Sequence, residues 1–315
     1  MRGVPSGGGA VVFGVASTSQ FPLRQVAPLA APPWRPIGVS ATRHEQRDAT
    51  VGGLRLRYVD VRPREENAPP LVLLHGLASR LEEYEDLVEW LRAGRRIVVM
   101  DLPGNGYSDK PARRYTLGLL EDAVLGLLDR IGLGQADLGG GSLGGNLTLR
   151  LAHREPGRFR RLAPWAPGGA WQPKPALAWL QGVLRTVATA AFWPTVWVQS
   201  RFWYHPSWPP RARALAEAFA HYREVHGPGF VSMYFDLARE QLATSLFPIA
   251  PAVRQPTLML WGDQDHALGM GHGVRRLVEL MPDARLSVLP GVRHSVANEA
   301  PAELGRRIDT FLRDL

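Results

Sequence analysis

Residues 136–152 read Ala-Asp-Leu-Gly-Gly-Gly-Ser-Leu-Gly-Gly-Asn-Leu-Thr-Leu-Arg-Leu-Ala, and the decisive part is Gly140-Gly141-Ser142-Leu143-Gly144-Gly145. A short apolar strand enters this run and a helix-period segment leaves it. A G-x-S-x-G placed between strand and helix holds its serine on a sharp, strained turn with the hydroxyl above the sheet. Small neighbours are needed for strand and helix to approach that closely. A helix opening at Ser142 also directs free backbone N–H groups and a partial positive charge toward a developing anion. The same letters contain G-x-G-x-x-G at Gly139, Gly141 and Gly144. A dinucleotide-binding reading wants that motif on the first strand and a carboxylate ending the next one. Here two apolar strands precede it, and the next strand runs into Ala166-Pro167-Gly168.

Working outward, Leu54, Leu56 and Tyr58 alternate with Arg55 and Arg57, which predicts a half-exposed antiparallel strand in structure beginning at Val51. Leu71–Leu74 is a continuous apolar run, as expected of a strand buried on both faces of a parallel sheet. A helix over Leu81–Leu91, a strand Ile97–Met100 and a helix Leu117–Ile131 complete the approach to Ser142. Beyond it come strands at Arg161–Trp165, Thr257–Trp261 and Arg285–Leu289, a helix near Gly273–Leu280, and a last helix from Ala302. This rhythm predicts an α/β fold with a doubly wound, mostly parallel sheet whose ligands bind beyond the carboxyl ends of the strands. The rhythm is broken between Trp171 and Ala250, where no strand is evident and tryptophans stand at 171, 179, 193, 197, 203 and 208. We therefore expect residues 1–47 as a disordered extension, 48–170 and 251–315 as two parts of one core, and 171–250 as a helical Trp-rich cap.

A serine nucleophile needs a base, and the base needs an orienting acid. His294 follows the last strand in Gly291-Val292-Arg293-His294, a loop that faces Ser142. Trp261-Gly262-Asp263-Gln264-Asp265 ends the preceding strand and offers two carboxylates. His153, His221, His226 and His272 are read as structural or solvent-exposed, and His75 as a buttress of its loop. That loop, after the first buried strand, offers the Leu77 N–H opposite that of Leu143 as a pair of oxyanion donors.

Composition bounds the partners. There is no cysteine, which excludes disulfides, thiolate metal sites and cysteine nucleophiles. The net charge is +8, carried almost wholly by scattered arginines, with Lys110 and Lys174 the only lysines. No basic tract is interleaved with aromatics, so no nucleic-acid partner is expected. The apolar stretch Ala176–Val198 is interrupted by Gln181, Arg185 and Pro194, and no integral membrane segment is expected. A cytoplasmic location is expected, with a cleaved N-terminal targeting segment as the alternative.

His75-Gly76, the segment Asp101-Leu102-Pro103-Gly104-Asn105-Gly106-Tyr107-Ser108-Asp109, Gly140–Gly145, Trp261–Asp265 and Gly291–His294 together resemble the capped α/β-hydrolase superfamily. The resemblance covers about residues 50–170 and 251–315. It implies an esterase- or lipase-like serine hydrolase with Ser142 as nucleophile, Asp265 as acid and His294 as base, and Leu77 and Leu143 as oxyanion donors. The family pattern W-G-x-x-D selects Asp265 over Asp263. Ser142 in place of aspartate departs from haloalkane dehalogenases and epoxide hydrolases. His75-Gly76-Leu77-Ala78-Ser79 departs from the HGGPG loop of proline iminopeptidases, and Gly141 and Ser295 depart from the usual neighbours in meta-cleavage C–C hydrolases. The resemblance thus implies a small-molecule ester substrate, and no cofactor or metal. The Trp-rich insertion, some of whose tryptophans only pack helices, would roof the site and favour apolar acyl or aromatic groups. A C–C bond hydrolase with the same triad and a non-catalytic ligand-binding member of the fold are the alternatives.

Overall fold

The computed structural model describes residues 42–266 and 270–313. Its sheet has eight strands: β1 (Gln46–Val51), β2 (Leu54–Val61), β3 (Ala68–Leu74), β4 (Arg95–Met100), β5 (Ala136–Gly141), β6 (Phe159–Trp165), β7 (Thr257–Gly262) and β8 (Ala284–Leu289). They lie in the order β1-β2-β4-β3-β5-β6-β7-β8. β1, β2 and β4 pair antiparallel, and every other pairing is parallel. β1 and β2 form a hairpin whose two turn residues, Gly52 and Gly53, have φ of 55° and 79°, as a type I′ turn requires. Order therefore begins before Val51, and β1 reaches two residues into the segment expected to be disordered. Residues 1–41 lie outside the described residues.

The unbroken apolar runs follow from a sheet covered on both sides. Val72, Leu74, Val98 and Met100 pack into one core, while Leu71, Leu73, Ile97 and Val99 pack into the other. Helices α2 (Leu117–Arg130), α3 (Leu143–Arg154) and α8 (Met270–Leu280) cover the first face. Helices α1 (Glu85–Leu91), α9 (Val296–Glu299) and α10 (Pro301–Arg313) cover the second. At about 25 cal/mol per Å² of buried apolar surface, this two-sided burial is the main term holding the sheet together.

Between β6 and β7 stand α4 (Pro175–Thr186), α5 (Ala188–Ser200), α6 (Arg211–Val225) and α7 (Pro228–Ala243), with no strand among them. Phe192 is the hub of this inserted helical layer, meeting Trp193, Tyr222, Phe230 and Tyr234 edge-on at centroid distances of 5.1–6.0 Å. α5 runs through Pro194 without a break. Ala190, whose carbonyl loses its intrahelical donor there, is exposed, as is Pro194, so water replaces the bond. Among the described residues no helix is long and apolar enough to cross a membrane.

Parallel register brings the strand ends level. Leu74 pairs with both Met100 and Gly140, Gly141 with Trp165, and Gly262 with Leu289. The segments after β3, β5, β7 and β8 therefore share one edge. The approach of α3 to β3 and β5 is close enough that a Cβ on Gly144 would overlap the Leu74 carbonyl, and one on Gly140 would overlap both Leu74 and Gly144 backbone. Gly144→Ala should therefore cost about 1–3 kcal/mol or more by overpacking, read as a lower urea midpoint. An unchanged midpoint would mean that the helix slides away freely.

Candidate active site

Ser142 is the N-cap of α3, with φ 54° and ψ −111°. A non-glycine residue so placed is strained, and the surrounding hydrogen bonds hold it there. Its N–H donates to the Trp165 carbonyl (3.1 Å), and its own carbonyl accepts from Asn146 and Gly168 N–H (both 2.9 Å). The preceding Gly141 donates its N–H to the Tyr84 hydroxyl at 3.1 Å, and that hydroxyl donates in turn to the Leu74 carbonyl at 3.1 Å. Tyr84 thus ties the end of β3 to the Ser142 turn from beneath. Burial raises its phenol well above the ordinary value, so it stays a neutral donor. Nothing in the sequence pattern marks this role.

The loop after β3 is held as firmly. His75 is fully buried, its Nε2 accepts from Leu102 N–H (3.0 Å) and its Nδ1 donates to the Gly76 carbonyl (2.7 Å). Burial holds this imidazole below its ordinary pKa, so the neutral tautomer with hydrogen on Nδ1 fits both bonds. Asn105 Oδ1 accepts from Ala78 N–H at 2.9 Å, fixing Ala78 at φ 58°. Asp101 accepts from Leu81 and Tyr107 N–H and from Arg57. The Asp101–Asp109 segment is therefore scaffolding for the Leu77 loop. Among the described residues no acceptor takes the N–H of Leu77 or of Leu143.

After β7, the two carboxylates part company. Asp263 Oδ1 accepts from Gly291 N–H at 2.7 Å, a bond that ties the loop after β7 to the loop after β8. Asp265 is buried and its Oδ2 lies 2.8 Å from His294 Nδ1. Burial opposes the His294 imidazolium, but the charge and hydrogen bond of Asp265, with Glu299 behind, override it and raise the pKa above its ordinary value. The His294 loop also leans on the inserted helices: Ser295 N–H donates to the Trp203 carbonyl (2.9 Å), and Arg293 Nη1 to the Arg201 carbonyl (2.9 Å). Ser142, His294 and Leu77 line one cavity of about 100 Å³, together with Ser79, Glu83, Trp203 and Tyr222.

A model of the family described as the alpha/beta hydrolase fold matches residues 69–301. The chain belongs to this family. Within it, the chain is 30% identical over 276 residues to the dihydrolipoyllysine-residue acetyltransferase component of the acetoin cleaving system of Pseudomonas putida, covering 84% of this chain and 68% of that one. It is 28% identical to a poly(3-hydroxyalkanoate) depolymerase of Ectopseudomonas oleovorans, covering 73% of this chain and 79% of that one. The crystal structure of an enol-lactonase from Burkholderia xenovorans superposes with a TM-score of 0.74 at 25% identity, covering 85% of this chain and all of the other.

Relative to this alpha/beta hydrolase frame, the six tryptophans of the insertion divide between lining the cavity and packing elsewhere. Of the six tryptophans between 171 and 208, only Trp203 lines the cavity. Trp193 stacks on His226 and Phe219 inside the helical layer, Trp171 donates to the Gln241 carbonyl, and Trp179 and Trp197 face solvent. Trp193 meets the Phe192 hub at 5.1 Å, and Trp208 stacks on Tyr204 at 5.1 Å. The test of the Tyr84 tie is Tyr84→Phe, which leaves Gly141 N–H and the Leu74 carbonyl without it. We expect a loss of about 1–3 kcal/mol in chemical denaturation; a change under 0.5 kcal/mol would mean that water replaces the hydroxyl.

Proposed function

We propose that this alpha/beta hydrolase cleaves carboxylic esters with short apolar or aromatic acyl groups through an acyl-enzyme on Ser142. The observation that carries the reading is the His294 Nδ1–Asp265 Oδ2 bond of 2.8 Å, made by a histidine that lines the same cavity as the strained Ser142. With its Nδ1 hydrogen given to Asp265, His294 keeps Nε2 as an acceptor. His294 takes the Ser142 proton as Oγ attacks the ester carbon. The resulting oxyanion sits against the Leu77 and Leu143 N–H groups, each worth about 3–4 kcal/mol in the transition state. Collapse expels the alcohol, which takes the proton from His294. Water then repeats the sequence, and release of the acid restores Ser142. The volume of about 100 Å³ suits short acyl groups.

Ser142→Ala should lower kcat by about a millionfold with the fold retained, as triad serines do; a variant with a tenth of the activity would sink the mechanism. Asp265→Asn should cost about 10⁴ in kcat by permitting the wrong tautomer, and Asp263→Asn less than about tenfold. The reverse ranking would move the acid to Asp263. The base works as neutral imidazole and Asp265 stabilises its protonated form. The kcat/KM of a simple ester should therefore rise with pH through a midpoint above the ordinary imidazole value of 6.5. In Asp265→Asn that midpoint should fall, and a midpoint unmoved would detach the acid from the base.

A further inference from the structure

The cavity beside Ser142 has a polar end that the triad does not use. Ser79 is 6% exposed, and its hydroxyl lies against the Glu83 carboxyl, which it holds down, without a hydrogen bond of good geometry to any group among the described residues. Glu83, one turn further along, lines the same cavity, as do Tyr204, Ser295 and Asn298. A buried hydroxyl with a poorly formed hydrogen bond forgoes part of the about 1–3 kcal/mol that a well-placed polar group would recover. Resting on the ester-hydrolase reading above, we infer that Ser79 and Glu83 bind a free hydroxyl carried by the substrate, so that the preferred substrates are hydroxy-substituted esters. A hydroxyl donates to the carboxylate and accepts from the serine, which satisfies both groups at once.

The electrostatic surroundings of Glu83 supply a test. Burial pushes its carboxyl up to about 7, against Ser79 and Arg80, with Glu82 and Asp101 adding like charge. Tyr204 and Tyr222 face it from the inserted helices, and His294 shares the cavity. The carboxylate accepts a hydroxyl hydrogen more strongly than the acid does. Hydroxyl preference should therefore strengthen as pH rises through about 7. His294 titrates for every substrate alike, so it cancels in a ratio of two kcat/KM values.

The measurement is that ratio, by pH-stat, for ethyl 3-hydroxybutyrate over ethyl butyrate, and for 2-hydroxyethyl butyrate over propyl butyrate. The two pairs separate an acyl hydroxyl from an alcohol-side one. We expect one ratio to exceed about ten, as hydrogen bonds to charged groups allow, to rise with pH, and to lose both features in Glu83→Gln. Ser79→Ala should lower it severalfold. Ratios near one in the parent chain, or a ratio untouched by Glu83→Gln, would overturn the inference. Labelling of Ser142 by a fluorophosphonate is run alongside. If Ser142 labels and ethyl butyrate turns over while both ratios stay near one, this inference alone falls; no labelling and no turnover would remove the ester-hydrolase reading beneath it.

A second, independent observation lies on the outer surface of α4 and α5. Leu177, Trp179, Leu180, Val183, Val187, Trp197, Val198 and Phe202 are exposed, Trp179 by 70%. Residues 156–216 contain no acidic side chain. Lys174 and Arg201 have no carboxylate partner among the described residues, and the Arg201 guanidinium lies 3.7 Å over the Trp197 ring. Exposed apolar side chains of this size on a soluble surface mark an interaction site. Tryptophan beside cations, in a stretch that carries no acidic residue of its own, matches the interface of an anionic bilayer. We propose that this face docks the chain on anionic phospholipid surfaces.

Co-sedimentation of the full chain with phosphatidylcholine vesicles, with and without phosphatidylglycerol, tests the proposal. Binding should require the anionic lipid, weaken in high salt, and drop about fivefold or more in Lys174→Glu, since one basic residue near such a surface is worth about that factor. Trp179→Ser with Trp197→Ser should abolish binding while ethyl butyrate turnover persists. Equal binding to both vesicles, no binding, or a concentration-dependent dimer broken by the same tryptophan changes would overturn it, the last by making a second copy the occupant.

Discussion

The close approach of α3 to the ends of β3 and β5 is the constraint on which the rest depends. A helix cannot begin that near two strands unless Gly140 and Gly144 lack side chains, because the Leu74 backbone already occupies the space a Cβ would need. Once the helix is seated, the chain between Gly141 and Leu143 has one way to turn. Ser142 must take a positive φ, and its backbone is locked by Trp165, Asn146 and Gly168. The strain is small beside the burial that enforces it, and it leaves the first N–H groups of α3 without internal acceptors.

A second layer of order comes from buried polar side chains satisfied by backbone. Neutral His75, Asn105 and Asp101 convert the segment after β4 into a template for the loop after β3. Asp101 tolerates full burial because Arg57 and two backbone N–H groups surround it. The inserted helices are coupled to the same edge through the Trp203 and Arg201 carbonyls, which hold the His294 loop from above. A change in the helical layer thus reaches the His294 loop through the Ser295–Trp203 main-chain bond at the cavity wall and the Arg293 side chain.

Much of this was legible in the sequence because the relevant signals are local. The apolar runs at Leu71–Leu74 and Ile97–Met100, the glycines around Ser142 and the order of the later loops report strand burial and strand–helix turns directly. Ser142, Leu77, Leu143, Asp265 and His294 all fall at the expected strand ends, and His75 is the buttress it was read to be. What stayed hidden was non-local. Tyr84 acts through a bond to Gly141, fifty-seven residues away, and no spacing rule encodes it. The direction each tryptophan faces depends on how four helices pack, so composition alone suggested a roof where Trp179 and Trp197 point outward. β1 was missed because its polar, exposed residues show too little apolar alternation for a strand signal.

The chemistry rests on one claim, that Ser142 carries the acyl group. Rapid quenching of a short p-nitrophenyl ester reaction in acid, followed by intact-mass and peptide mass spectrometry, tests it most directly. The account predicts one acyl mass per chain, located on the peptide that contains Ser142, formed with a burst of p-nitrophenol and absent from Ser142→Ala. Turnover with no adduct, or an adduct mapped to another residue while Ser142→Ala keeps its activity, would contradict it.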